Sequence, residues 1–354
     1  MPYNLLVCGS NGLYQLGLGN DDDHCELQLV DLPFVAHEKP KAFAFGASHT
    51  LVLFPNGKVF ASGSNEFGQC GIAGAKILQT FCEIPGTWTD IAAGWEFSIL
   101  KSNEGHFYSC GHGPKGELGL GEGVRVATEP TKIEFGSKLG SGVCKIQASM
   151  SHVVVQLHNG SLLGWGTCRK GQLGNVPTVL NSQGKPKPPM GLWEPTVLSY
   201  APVIDCKVGR ERTLLIREEG ATTITECNDE DIATPMNGLL ISPATSGIKF
   251  QCGWSSAHVL AYSQLYGFGK NLHGQVFQHD QFTGDVEDFE VGSEHGVLLA
   301  KDNTVYAWGW GEHGNCGPNH DDFKISKLYE GGNNKVVAMA CGLATTWIIT
   351  ENQS

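Results

Sequence analysis

Charge is scarce in this chain. Asp, Glu, Lys and Arg make up 17% of it, against about 25% in an average soluble protein. Basic residues never run longer than two, and 24 Lys/Arg against 36 Asp/Glu leave a net charge of −12. Such a field opposes nucleic acid and anionic membrane, so neither is expected as a direct partner. Long apolar runs are missing too. Nothing approaches the roughly 18 consecutive apolar residues of a membrane span. The opening Tyr3-Asn-Leu-Leu-Val-Cys-Gly9 lacks the basic and long apolar regions of a secretion signal and reads as a strand.

Metal and redox spacing is equally absent. None of the 12 cysteines sits in Cys-x-x-Cys spacing, and Cys8, Cys110, Cys206, Cys252 and Cys341 lie in apolar runs. Reduced core thiols are expected, and the cytoplasm, with the nucleus second, as the location. There is no Gly-x-Ser-x-Gly elbow, His-Glu-x-x-His pair or phosphate loop. Glu294-His295 and Glu312-His313 could move protons, but no nucleophile or metal motif accompanies them. The expectation is therefore no enzyme, no catalytic residue, no cofactor and no metal.

What is abundant is glycine, 47 of 354 residues, or about 13% where about 7% is usual. These glycines repeat. Gly-x-x-x-x-Gly-[Gln/Glu/Asn]-x-Gly occurs from Gly63, Gly111, Gly166 and Gly309, with partial copies from Gly9 and Gly269. The first glycines are spaced 54, 48, 55, 103 and 40 residues apart, so the 103 holds two periods, with an eroded copy within 217–235. Gly111-His-Gly-Pro-Lys-Gly116 and Gly309-Trp-Gly-Glu-His-Gly314 also match the dinucleotide-binding pattern. No helix follows either, and both fall in the repeat's register, which makes them turn glycines.

A second template, an apolar run, a turn and a strand, occurs seven times. Its turns include Phe45-Gly46-Ala-Ser-His49, Gly94-Trp95-Glu96, Ser149-Met-Ser-His152, Gly209-Arg-Glu-Arg212, Gly253-Trp254, Gly292-Ser-Glu294-His295 and Gly342-Leu-Ala-Thr-Thr-Trp347. Hairpin signals such as Asn56-Gly57 and Asn159-Gly160 fall between the two templates. Each unit of about 50 residues is then an antiparallel meander that must stack on its neighbours to bury its faces. The pattern predicts an all-β fold: a seven-bladed β-propeller over 1–354, a single domain, with the N-terminal strand completing the C-terminal blade. Both glycine templates fall on loops of one face.

The tandem Gly-x-x-x-x-Gly-Gln-Leu-Gly and Gly-x-x-His-Thr patterns resemble the regulator of chromosome condensation repeat family. Val291-Gly-Ser-Glu-His-Gly296, Trp308 to Pro318 and Cys341 to Ile349 are similar to a fungal branch of that family, the alpha-tubulin suppressors or killer-toxin-insensitivity proteins. That resemblance implies a heterodimer with a small Cys-Ser-Leu-type zinc or iron protein of diphthamide synthesis. It also implies an indirect link to Elongator and its wobble-uridine tRNA modification. The chain would be a non-catalytic scaffold. The alternative is a guanine nucleotide exchange factor for a small GTPase, which in the family's namesake uses a wedge inserted in one blade; no such wedge is identifiable in the sequence. A light-sensing member is remote, because its dense tryptophan clusters are missing.

The residues expected to bind a partner are Trp95, Glu96, Trp254, His258, Glu294, His295, Trp310, Glu312, His313 and Trp347. Loop tryptophans make good interface anchors because they bury much area with few rotatable bonds. Trp165 and Trp308, within strands, are expected to pack between blades, and His49 and His152 to make structural hydrogen bonds. The proline-rich 175–200 segment reads as a surface insertion between the fourth and fifth blades, either a docking loop or an inert excursion.

Overall fold

The structure, a computed structural model, describes residues 3–32, 37–198, 200, 202–219, 222–226, 228–239 and 248–352. Its strands form antiparallel meanders arranged as a β-propeller. Five blades are four-stranded. The first three in chain order are Ala42–Phe45 through Ile77–Ile84, Trp88–Ala93 through Val126–Lys132, and Val143–Ala148 through Gly191–Val197. A fourth runs from Val286–Val291 to Ser326–Glu330. The fifth closes the ring: Asn334–Cys341 and Thr345–Asn352 pair with Tyr3–Gly9, which pairs with His24–Leu29. Two strands from the start of the chain enter this sheet rather than one.

The arc 205–269 departs from the repeat. It carries two three-stranded sheets, Asp205–Val208 to Thr222–Glu226 and Lys249–Cys252 to Gln264–Gly269. Where an outer strand belongs, residues Glu230–Leu239 form an α-helix. Asp229 begins it, its carboxylate accepting the Asp231 N–H at 3.2 Å, and Glu230 and Asp231 favour the positive helix end. Ile232 and Met236 of the helix share one core with Leu214 and Ile216 of the first sheet and Phe250, Ala257 and Val259 of the second. The two sheets and their common helix make one composite unit. The expectation of seven like blades is corrected accordingly: the ring consists of five regular blades and this composite, six units in all. The cause is local, since the glycine template is eroded within 217–235. Part of that stretch, with residues 220, 221 and 227, lies outside the described residues.

The glycine templates have a steric basis. Gly63 lies next to last in a third strand, Val59–Ser64, at φ +105°, and a Cβ there would lie 2.3 Å from the Ser48 carbonyl oxygen; at Gly309 the same approach is to Glu294, at 2.5 Å. Only glycine lets these two loops touch. The template's Gln or Glu then ties its own loop. Side-chain oxygens of Gln15, Gln69, Glu117, Gln172 and Gln275 each accept the backbone N–H two residues earlier.

Neighbouring blades are joined by a repeated polar relay. His49 Nε2 lies 2.9 Å from Ser98 Oγ of the next blade, and that hydroxyl donates to the Gln69 carbonyl. His152, Thr213 and Gln172 repeat the arrangement, as do His295, Thr346 and Asn315. Because each hydroxyl gives its proton to a carbonyl, the imidazole Nε2–H must be the donor to it, which fixes the tautomer. Trp165 and Trp308 are buried, with their indole N–H groups donating to the Glu117 and Gln275 carbonyls.

Candidate functional site

In an antiparallel meander the loops after first strands and after third strands emerge on the same face. Here that places both glycine templates together. The inner loops are chained around the axis by backbone hydrogen bonds, Ala47 N–H to Trp95, Trp95 N–H to Met150 and Trp254 N–H to Ser293. These bonds hold Trp95 and Trp254 facing each other across the ring. Their ring centroids are 5.8 Å apart, and both line the axial cavity of about 310 Å³. The Arg210 guanidinium lies over the Trp254 ring, 5.0 Å from its centroid.

Trp310 joins this pair around a second cavity of about 260 Å³, lined also by Phe45, Leu343 and His313. Its backbone N–H donates to Glu294, and its ring meets His313 edge-on at 5.4 Å. His313 reaches across to Asp23 of the closing blade, with 2.7 Å between Nδ1 and Oδ2. Glu294 accepts from Ser255 Oγ, and burial raises its carboxyl above the usual range despite that bond. Glu96 pairs with His112 at 2.8 Å, and Glu312 is exposed.

Seven of the ten expected partner residues thus fall on one face. Three do not. Trp347 is completely buried among Phe43, Phe45 and Phe81, because it lies in the strand Thr345–Asn352 rather than the loop before it. His258 and His295 likewise start or continue second strands and are buried. Burial pushes His295 down to about 4 and His258 to about 3, so both are neutral at pH 7. His258 Nε2 accepts the Phe277 N–H, and His295 belongs to the relay. A contrast follows: Trp347→Ala is expected to lower stability by about 3–5 kcal/mol, while Trp254→Ala leaves the melting temperature nearly unchanged. Thermal denaturation of the two variants checks this, and equal losses would place Trp254 in the core.

One element of this face was not legible beforehand. The 175–190 stretch lies within a blade, between the strands Leu162–Thr167 and Gly191–Val197, and not between two blades. It folds as a hairpin in which Val179–Leu180 pairs with Pro186–Lys187. Asn181 shapes the turn: its side-chain oxygen accepts from Gln183 and Lys185, and its carbonyl from Gly184. Cys168 Sγ–H to the Pro189 carbonyl and Arg169 to Met190 hold the base. Leu180 is 71% exposed. The Asn-Ser-Gln-Gly turn after Val-Leu was the available signal.

Glycine-bound loops repeated from blade to blade and gathered on one face define a class of repeat propeller. The chain belongs to the regulator of chromosome condensation (RCC1) repeat family. It is 30% identical to an RCC1 repeat-containing protein of Schizosaccharomyces pombe, covering 98% of this chain and 99% of the relative. The profile of that repeat matches residues 41–69 and 286–315. The secretion-regulating guanine nucleotide exchange factor of Mus musculus is 26% identical, with 88% of this chain and 75% of the relative covered. Among solved structures, Prp20p of Saccharomyces cerevisiae, described with its binding to Gsp1p and histones, superposes with a TM-score of 0.79 at 18% identity, covering 100% of this chain and 92% of that one.

Nucleotide exchange is a catalysed step, and it is in the name of one of these relatives. The expectation of a chain without catalytic function is corrected by that finding. The names of these three relatives mention neither a zinc protein nor Elongator nor diphthamide.

Proposed function

We propose that this chain is a guanine nucleotide exchange factor for a small GTPase and that it works through its glycine-loop face. The observation that carries the reading is the hairpin around Leu180, an exposed apolar element standing on the face that also presents Trp95, Trp254 and Trp310. Relatives described as exchange factors support it. The scaffold reading with a small zinc protein has no observation of its own.

Exchange needs no covalent chemistry from the protein. An exchange factor must bind the nucleotide-free GTPase more tightly than the nucleotide-bound form, and each tenfold gain in release rate takes about 1.4 kcal/mol of that difference. Large apolar side chains that insert only when the nucleotide leaves supply such a difference. The tryptophans, with Glu96, Glu294, Glu312 and His313 around them, would hold the partner in register.

Release of a fluorescent GDP analogue from a panel of small GTPases tests the proposal. Stimulation of one member is expected. Replacing residues 178–188 by a short glycine linker is expected to reduce that stimulation at least tenfold, with the melting temperature unchanged, since the hairpin buries little. Absence of stimulation across the panel would sink the reading.

A further inference from the structure

The glycine-loop face holds a third cavity, of about 400 Å³, set off the axis between the loops around residues 115, 150, 169 and 210. Its lining includes four cations, Lys115, Arg169, Lys170 and Arg210, all exposed. In a chain with a net charge of −12, such a gathering is unexpected. Only Lys170 has a carboxylate within ion-pair distance, Glu211 at 3.9 Å. Among the described residues the other three have none.

The remaining carboxylates of the cleft are engaged elsewhere. Glu96 pairs with His112. Glu117 is buried, accepts the Lys115 backbone N–H, and has its carboxyl pushed up by burial. The Thr167 hydroxyl also lines the cleft, buried and without a partner. Arg210 is already oriented by its stacking on Trp254. Four cations against Glu96 and Glu211 leave the cleft with an excess of positive charge, which attracts an incoming anion.

We propose that this cleft binds an acidic, carboxylate-bearing segment of a protein partner. A protein segment fits better than a nucleic acid because the chain's overall negative field repels a long polyanion. The walls agree: Trp95 and Met150 offer apolar surface for the methylene stems of Glu or Asp side chains. Arg169 and Arg210 supply planar forks that match a carboxylate's two oxygens. The inference goes beyond the exchange reading and stands without it, since binding here is measured with no GTPase present.

The test uses a fluorescein-labelled octaglutamate peptide and anisotropy. Saturable binding is expected, weakening as NaCl rises from about 50 to about 300 mM because exposed charge pairs are screened. The triple reversal Lys115→Glu, Arg169→Glu and Arg210→Glu is expected to weaken it at least tenfold, whereas Lys132→Glu, on an outer strand, leaves it unchanged. All four positions are exposed, so the variants fold. No saturable binding, an affinity indifferent to the triple reversal, or equally tight binding of a single-stranded DNA oligomer of like charge would each overturn the proposal.

Discussion

Removal of residues 1–9 is expected to unfold the whole ring rather than loosen one end. Tyr3–Gly9 pairs along its length with Thr345–Asn352, from Tyr3 opposite Glu351 to Gly9 opposite Thr345. Leu5, Val7 and Cys8 are completely buried, and Leu5 and Val7 share a core with Trp347, Ile349 and Phe54. Burial of each of the two aliphatic side chains contributes about 1.5–3 kcal/mol. Their removal also bares the edges of two neighbouring strands. The total approaches the 5–15 kcal/mol that typically separates a folded domain from its unfolded chain. Circular dichroism and urea denaturation of the truncated chain check this. A cooperative transition with an unchanged midpoint would show that the other units hold the ring by themselves.

Acid is the second strong perturbation. His49, His152 and His295 are held down to about 4 and His258 to about 3, in each case chiefly by burial. A free histidine titrates near 6.5. The unfolded chain therefore takes up protons that the folded one refuses. The stability these residues contribute is complete above pH 6.5 and is lost as pH falls toward 4. At pH 5 the loss is roughly 2 kcal/mol for each histidine. Glu117, Glu290 and Glu294 work in the opposite sense, because burial raises their carboxyls; the stability they give is present at low pH and fades as pH rises.

A comparison with one variant separates the two effects. His152→Gln loses the relay and is less stable than the parent at pH 7. That gap is expected to narrow by roughly 2 kcal/mol at pH 5, since the variant has no imidazole to protonate. Urea midpoints at the two pH values measure it. A gap that does not change with pH would mean that His152 is protonated as easily in the fold as outside it.

Much of the fold was legible because its glycines are required sterically. A position such as Gly63, where any Cβ would strike the Ser48 carbonyl, must recur wherever that loop contact recurs. The arc 205–269 was not legible in this way, because a helix there replaces the outer strand and leaves no glycine mark. Placement on the glycine-loop face was readable where a tryptophan immediately follows the loop glycine, as Trp95 follows Gly94 and Trp254 follows Gly253. Trp347 comes five residues after Gly342, which already places it in the strand. Glu294 and His295 straddle the same boundary: one ends in the loop and the other in the core. The cation cleft leaves no linear trace, since Lys115, Arg169 and Arg210 come from three separate loops.

The relay between blades also gives the ring a direction. In each described case a histidine of one blade meets a hydroxyl of the following blade, never of the preceding one. Considered as subunits, the blades associate head to tail, and such an interface either closes into a ring or runs on as an open chain. His295 and Thr346 make such a contact at the closing blade. A ring opened there would carry a free head and a free tail, each complementary to the other end of a second molecule. Closure satisfies both ends within one molecule, so no head or tail is left for a second one.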